Sequence, residues 1–155
     1  MKNDREVTFY HFTSVPLVKG IPSLLKKIYD TGKNILLLCR DSAELEEFDK
    51  LLWSFSTKIF LPHGTAKDQY PEAQPIFLDV KINDINKPKI LVSFTDVLDQ
   101  EMEKFESVIF VFFGNNQDQN VSEMYDRFSN IQSDKKIRVK FWFQDLSTGK
   151  WQQIQ

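Results

Sequence analysis

Two short runs of uninterrupted apolar residues constrain the fold of this chain most strongly. Residues 35–39 (ILLLC) and 108–113 (VIFVFF) contain no polar side chain. A strand that is apolar at every position is buried on both faces, which is typical of the central strands of a parallel sheet. Both runs are far shorter than the ~20 residues that a membrane helix needs. They therefore predict buried strands.

Segments with the periodicity of amphipathic helices alternate with strand-like runs. Further strands are predicted at residues 7–12, 59–61, 76–80, 90–94, 138–144 and 150–154. Helices are predicted where apolar residues recur three or four positions apart, over residues 21–29, 45–52 and 121–131. Asp41 with Glu44 predicts a capping box, Asn120 predicts a cap for the last helix, and Gly32 predicts a helix end. This alternation predicts one α/β domain over residues 1–155, a mainly parallel sheet with helices on both faces.

Charge is distributed unevenly, although the formal net charge is only −2. Residues 1–126 carry 14 basic and 20 acidic side chains, whereas residues 127–150 carry six basic and two acidic ones. The basic ones are Arg127, Lys135, Lys136, Arg138, Lys140 and Lys150. A basic end on an acidic body predicts either an anion-binding face or a solvated hairpin edge whose lysines discourage aggregation. The acidic overall balance disfavours strong, direct binding of nucleic acid.

Few residues favour catalysis. The sequence contains no glycine-rich phosphate loop, no H-E-x-x-H motif and no G-x-S-x-G motif. Cys39 ends a predicted buried strand, where a thiol is usually inert, and a single cysteine favours a reducing, cytoplasmic compartment. His63 is either a general base, a ligand, or a residue that bonds a backbone group or a partner. We therefore expect no catalytic residue, no metal, no cofactor and no membrane association.

One partial resemblance favours a nucleotide-binding lobe. Residues 34–38, the capped helix that follows them and residues 89–96 (KILVSFTD) resemble the second RecA-like lobe of superfamily two helicases. The resemblance implies an arginine-rich, ATP-contacting motif in residues 121–131, where only Arg127 is basic. A degenerate helicase-type RecA-like lobe is therefore the alternative interpretation.

A second resemblance covers nearly the whole chain. Its most specific part is Trp53 followed by FLPH at residues 60–63. Matching runs stand at residues 7–10 (VTFY), 32–39 (GKNILLLC), 89–93 (KILVS), 126–128 (DRF) and 149–151 (GKW). On these residues the chain resembles the chi subunit family of bacterial DNA polymerase III. The resemblance implies a non-enzymatic clamp-loader accessory with a Rossmann-like α/β fold, acting as a monomer or a heterodimer.

The same resemblance implies two protein-binding surfaces. The first would bind the psi subunit through Trp53, Phe60, Pro62 and His63. The second would bind the acidic C-terminal tail of single-stranded DNA-binding protein through Phe112, Tyr125, Arg127, Phe128 and Ser129. An acidic tail that ends in an aromatic residue needs an apolar pocket and nearby cations. Tyr125 and Ser129 stand where the family has an arginine and a lysine.

Three of these residues also have a structural interpretation. Trp53 is either an interface anchor, as tryptophan often is, or the residue that closes its helix against the core. Phe128 lies at the spacing of core residues, and Arg127 could form an ion pair with Glu123 or Asp126. For the whole chain, the hypotheses are a replication adaptor that meets DNA only indirectly, a helicase-type lobe, and a stand-alone nucleic-acid binder.

Overall fold

Strands and helices alternate along most of the computed structural model, which describes residues 5–154. The strands are β1 (Arg5–Phe12), β2 (Ile35–Leu38), β3 (His63–Gly64), β4 (Ile76–Asp79), β5 (Ile90–Ser93), β6 (Ser107–Phe113), β7 (Ile137–Gln144) and β8 (Trp151–Gln153). The helices are α1 (Leu17–Tyr29), α2 (Ser42–Ser54), α3 (Asp99–Met102) and α4 (Gln119–Gln132), and Pro71–Ala73 forms a 3₁₀ turn. None of the helices in residues 5–154 has the length and apolarity that crossing a membrane requires.

The eight strands of the described residues form one sheet in the order β3-β4-β2-β5-β6-β1-β7-β8. Every pairing is parallel except that of β8 with β7, which is antiparallel. Strands β2 and β5 are buried at every position, as the apolar run at residues 35–39 predicted. The predicted α/β class with a mainly parallel sheet is confirmed.

Alternate strand residues point to two separate hydrophobic cores, one on each face of the sheet. Ile35 and Leu37 of β2 pack with residues of α1 and α2, whereas Leu36 and Leu38 pack with residues of α3 and α4. This division follows from the period of two in an extended strand. It explains why β2 is apolar at all four of its positions.

The ends of the helices follow local sequence signals in part. Asp41 Oδ1 accepts a hydrogen bond from the Glu44 backbone N–H at 2.8 Å, as the capping box predicted. Glu44 Oε1, however, accepts from the N–H of Arg40 at 2.8 Å rather than from that of Asp41. Gly32 follows α1 with a φ of +83°, a conformation that glycine adopts without strain.

One predicted strand and one predicted helix cap are wrong. Residues 59–61 are not a strand: Ile59 and Phe60 are exposed, and the edge strand forms two residues later, at His63–Gly64, where it pairs with β4. Asn120 is not the cap of α4, because that helix begins at Gln119 and Asp118 precedes it. The Asn120 side chain instead donates to the carbonyl of Phe113 at 3.2 Å.

Candidate partner-binding surfaces

Two aromatic side chains stand exposed beside each other at the end of α2. Trp53 and Phe60 are each 57% exposed, and their ring centroids lie 5.6 Å apart. Half-buried Pro62 and buried His63 follow in the same segment, and the Trp53 ring lies 4.7 Å from that of His63. We call these four residues the Trp53 surface. Trp53 does not close α2 against the core, because more than half of its side chain faces solvent.

His63 anchors this segment to α2. Its Nδ1 lies 2.7 Å from the carbonyl of Leu61, and its Nε2 lies 3.3 Å from the carbonyl of Asp49. The carboxylate oxygen Oδ1 of Asp49 is also 3.3 Å from Nε2, without hydrogen-bond geometry. His63 therefore bonds backbone groups, as the structural interpretation of a lone histidine predicted.

Four of the residues implied for the second surface lie on α4 and the fifth lies on β6. We call Phe112, Tyr125, Arg127, Phe128 and Ser129 the α4 surface. Tyr125 is half-buried, and its hydroxyl bonds Nδ1 of buried His11 at 3.0 Å. His11 Nε2 donates to the carbonyl of Gly114 at 2.7 Å, so Nδ1 is the acceptor for the tyrosine proton. Burial lowers the pKa of His11 and raises that of Tyr125, which is consistent with a neutral pair.

Two members of the α4 surface lie in the core. Phe128 is 7% exposed and packs 4.8 Å from Phe141, measured between ring centroids. Phe112 is 4% exposed and stacks on the His11 ring at 4.8 Å. Neither ring is open to a ligand, so the geometry gives both of them a supporting position.

Arg127 is already paired with carboxylates of this chain. Its Nε donates to Asp96 at 3.0 Å, and its Nη2 donates to Asp99 and, at 3.0 Å, to the carbonyl of Val97. These partners lie before and within α3 rather than at Glu123 or Asp126, which the sequence had suggested. The side chain is only 16% exposed.

Basic side chains of the last quarter of the chain are divided between the two faces of the sheet. Val139 and Phe143 of β7 pack on the α4 side, so the alternating residues Arg138 and Lys140 point to the α1 side. Lys135 and Lys136 are exposed in the turn after α4, near the exposed Ser129. The basic end of the sequence is therefore not one continuous face.

A cleft of about 600 Å³ opens beside Tyr125, between the end of β7 and the loop after β6. Phe143, Leu146 and Ile154 supply its apolar lining, and Asp145 is its charged lining residue among residues 5–154. The cleft has the size for a bulky apolar side chain, but its own charge is negative.

The groups with catalytic potential show structural roles. Burial raises the pKa of the Cys39 thiol to about 12, so the thiol is protonated and unreactive at neutral pH. Within the part of the chain that the structure describes, no three His, Cys, Asp or Glu side chains converge as metal ligands do.

Sequence reasoning missed the contacts of Gln144. This residue ends β7, is 5% exposed, and its Oε1 accepts from the backbone N–H groups of Thr13, Ser14 and Val15 at 3.1, 3.2 and 3.4 Å. The loop it holds connects β1 to α1, where successive N–H groups form an anion-binding nest in many α/β proteins. Here the side-chain amide oxygen of Gln144 accepts from the N–H groups of this loop.

Comparison with known proteins gives a consistent result. A family model described as DNA polymerase III chi subunit, HolC, matches residues 5–135. The probable DNA polymerase III subunit chi of Rickettsia prowazekii (strain Madrid E) is 32% identical over 95 residues, which are 60% of this chain and 58% of that protein. The DNA polymerase III subunit chi of Pseudomonas aeruginosa is 38% identical over 45 residues, 29% of this chain and 32% of that protein. The chain therefore spans less than two thirds of either relative.

Proposed function

This chain belongs to the DNA polymerase III chi subunit family, and we propose that it is a non-enzymatic adaptor that joins the clamp loader to protein-coated single-stranded DNA. In this proposal the Trp53 surface binds the psi subunit, and the α4 surface binds the acidic C-terminal tail of single-stranded DNA-binding protein. The observation that carries the proposal is the exposed pair of Trp53 and Phe60 in a chain of this family.

The physical argument for the Trp53 surface is the cost of leaving two large rings in water. Burying apolar area contributes about 25 cal/mol per Å², and Trp is the residue most enriched at interface hot spots. The two ring nitrogens of His63 face the carbonyls of Leu61 and Asp49, and its ring packs 4.7 Å from that of Trp53. Trp53 therefore has packing neighbours before a partner arrives, which reduces the side-chain entropy lost on binding.

We expect the double variant Trp53→Ala and Phe60→Ala to lose binding of the host's psi subunit by about 30-fold or more, equivalent to about 2 kcal/mol. Isothermal titration of purified psi against each variant measures this loss. Leu98→Ala is the matched control, because Leu98 is 65% exposed but lies beside α3. Unchanged affinity of the double variant, with an unchanged circular dichroism spectrum, would contradict the psi assignment.

Support for the α4 surface is chemical. The half-buried Tyr125 borders an apolar cleft that could hold an aromatic ring, and Ser129 and Lys135 lie exposed on and after the same helix. Phe112 and Phe128 would support Tyr125 from the core. The cation of Arg127 would have to be shared with Asp96 and Asp99, so we expect weak binding.

A gain of function tests the α4 surface without disturbing the core. We expect Ser129→Lys to tighten binding of a labelled tail peptide, copied from the host's single-stranded DNA-binding protein, by about fivefold at low salt. Asn130→Lys adds the same charge at the neighbouring exposed position and should change little. Fluorescence polarisation gives both affinities. Equal effects of the two lysines, or no binding by any variant, would refute the tail assignment.

The helicase-type alternative receives less support. A nucleotide-binding lobe needs an arginine that can reach a phosphate, and Arg127 is held by Asp96, Asp99 and the carbonyl of Val97. A stand-alone nucleic-acid binder is also less favoured, because the chain carries a formal charge of −2.

Finer features of the fold and location complete the proposal. We propose a Rossmann-like domain that comprises residues 1–155, of which residues 1–4 and 155 lie outside the described part. As a subunit of a bacterial replicative polymerase, the protein would act in the cytoplasm, as a monomer or as a heterodimer with psi.

A further inference from the structure

A second cleft, on the opposite face of the sheet from α4, lies between α1 and the β7–β8 hairpin. It has a volume of about 380 Å³. Strands β7 and β8 end the sheet on this side, and α1 packs over Phe12 of β1 and Val111 of β6. The cleft is the space between α1 and the part of the β7–β8 hairpin that α1 does not cover.

Aromatic rings form the floor and the outer wall of this cleft. Tyr10 and Trp142 are register partners on β1 and β7, so their side chains share the α1 face of the sheet. Trp151 of β8 stands edge-to-face against Tyr10 and Phe12, with ring centroids 5.5 and 4.8 Å away, and is 37% exposed. The cleft thus offers a preformed apolar surface about large enough for one bulky side chain.

The inner wall carries positive charge. Lys19, Ser23 and Lys27 are exposed residues of α1 that line the cleft. Among residues 5–154, no Asp or Glu lines it, and no carboxylate lies within 4 Å of the ammonium group of Lys19 or Lys27. Lys26, by contrast, points away and pairs with Asp30 at 2.7 Å.

The cations that line the cleft stand on its α1 side. Arg138 and Lys140 of β7 precede Trp142 on the same face of the sheet but lie outside the lining, and Lys140 lies 3.5 Å from its neighbour Glu6. Two lysines therefore border an apolar pocket whose lining has no acidic residue among residues 5–154. A ligand complementary to this surface has carboxylates next to a large apolar group.

From this complementarity we propose that the α1–hairpin cleft binds a short acidic peptide segment of a partner protein, with one aromatic or large aliphatic side chain seated against Tyr10, Trp142 and Trp151. A peptide is favoured over single-stranded nucleic acid because the net charge of the chain is negative, whereas proteins that bind single strands combine stacking rings with a positively charged groove. The cleft is a third surface, separate from the Trp53 and α4 surfaces.

The tryptophans allow a direct test. The chain has three, of which Trp142 and Trp151 line the cleft and Trp53 lies on another surface. The probe is the amide-capped peptide DDEFDD, titrated into ¹⁵N-labelled protein. We expect the indole N–H signals of Trp142 and Trp151 to shift and that of Trp53 to stay as an internal reference. Shifts confined to Trp53, or no shift at millimolar peptide, would overturn the proposal.

The contributions of charge and of the apolar side chain to binding are tested separately, with matched peptides and matched protein variants. The peptides NNQFNN and DDEADD should each bind at least about fivefold more weakly than DDEFDD. Lys19→Ala with Lys27→Ala should weaken DDEFDD by about five- to tenfold, and Lys26→Ala should leave it unchanged. Equal losses in the two lysine backgrounds, or displacement of the peptide by an equimolar thymidine oligonucleotide, would overturn the proposal. These shifts are read at Trp142 and Trp151, which lie outside the Trp53 and α4 surfaces. A negative result would therefore not affect the psi and tail assignments, and a failure of either assignment would not affect the proposal for the α1–hairpin cleft.

Discussion

Gln144 shows how one side chain can hold a whole loop, here the one between β1 and α1. Its amide oxygen accepts from three successive backbone N–H groups of residues 13–15, and its own carbonyl accepts from the Thr13 hydroxyl at 2.8 Å. Buried N–H groups that lose their acceptor cost far more than an average hydrogen bond contributes. The loop that begins α1, and with it the position of Lys19, therefore depends on Gln144.

We expect Gln144→Leu to lower the free energy of unfolding by about 1–3 kcal/mol, because leucine has similar volume but offers no acceptor to these N–H groups. Urea unfolding followed by circular dichroism measures the change. Gln152→Leu is the control, since Gln152 is exposed on β8 and should stay within about 0.5 kcal/mol of wild type. Equal stability of the two variants would show that the loop finds other acceptors.

No local signal could have identified Gln144 or His11. Gln144 ends a correctly predicted strand, but its partners lie about 130 positions earlier, and His11 bonds Tyr125 across 114 positions. The first contact exists only once β1 and β7 are neighbours in the sheet, and the second only once α4 packs on β1. The sequence does place both polar residues at strand ends, which is where long-range polar contacts concentrate in parallel sheets.

At the scale of elements, Arg127 connects α4 to α3. Helix α3 has only four residues, too short to be stable alone, and Arg127 bonds Asp99 within it and Asp96 and Val97 just before it. An arginine that is implied by resemblance to contact a partner therefore has a structural duty as well. Loss of tail binding in Arg127→Ala would not distinguish the two roles, which is why Ser129→Lys is the sharper experiment.

We expect Arg127→Ala to destabilise the protein by about 1–2 kcal/mol, less than for a fully buried pair because Asp96 and Asp99 are mostly exposed. Lys104→Ala provides the comparison, because it removes an exposed pair with Glu101 on the same segment and should cost under about 0.5 kcal/mol. Thermal unfolding of both variants gives the values. An effect of Arg127→Ala no larger than that of Lys104→Ala would refute the connecting role.

The elements that the sequence predicted well are those whose pattern is set locally. A continuous apolar run predicted β2, the helical spacing of apolar residues predicted α1, and Asp41 predicted the cap of α2. Each of these signals lies within the element or directly beside it. Residues 59–61 were mistaken for a strand because Ile59 and Phe60 have high β propensity, yet both face solvent. An exposed aromatic patch and a strand use the same residue types, so composition alone could not separate them.

For the whole molecule, sheet topology decides which residues share a surface. In the sequence, the basic residues fall together within residues 127–150. In the fold, the alternation of side chains along β7 places Arg138 and Lys140 on the α1 face of the sheet, whereas α4 covers the opposite face. Trp53 and Phe60, seven positions apart, do meet, because α2 ends between them and the chain turns back at His63. The residues that the resemblance assigns to the Trp53 surface are thus adjacent and partly exposed, whereas two of those assigned to the α4 surface are buried.

The same topology argues against nucleotide binding by this chain. The N–H groups after β1 that could hold a phosphate already bond Gln144, and the arginine that the helicase resemblance would assign to ATP is held by Asp96 and Asp99. We therefore expect saturating ATP with Mg²⁺ to leave the melting temperature of the protein unchanged and to be hydrolysed no faster than in buffer.

Differential scanning fluorimetry and a phosphate-release assay measure these two quantities. A ligand that binds only the folded state must raise the melting temperature, so an unchanged value reports on binding itself and not on turnover. A rise with ATP that disappears in Arg127→Ala would contradict the adaptor proposal and restore the helicase-type lobe. A rise that persists in Arg127→Ala but disappears in Lys19→Ala would instead mean that the α1–hairpin cleft accepts phosphates as well as carboxylates.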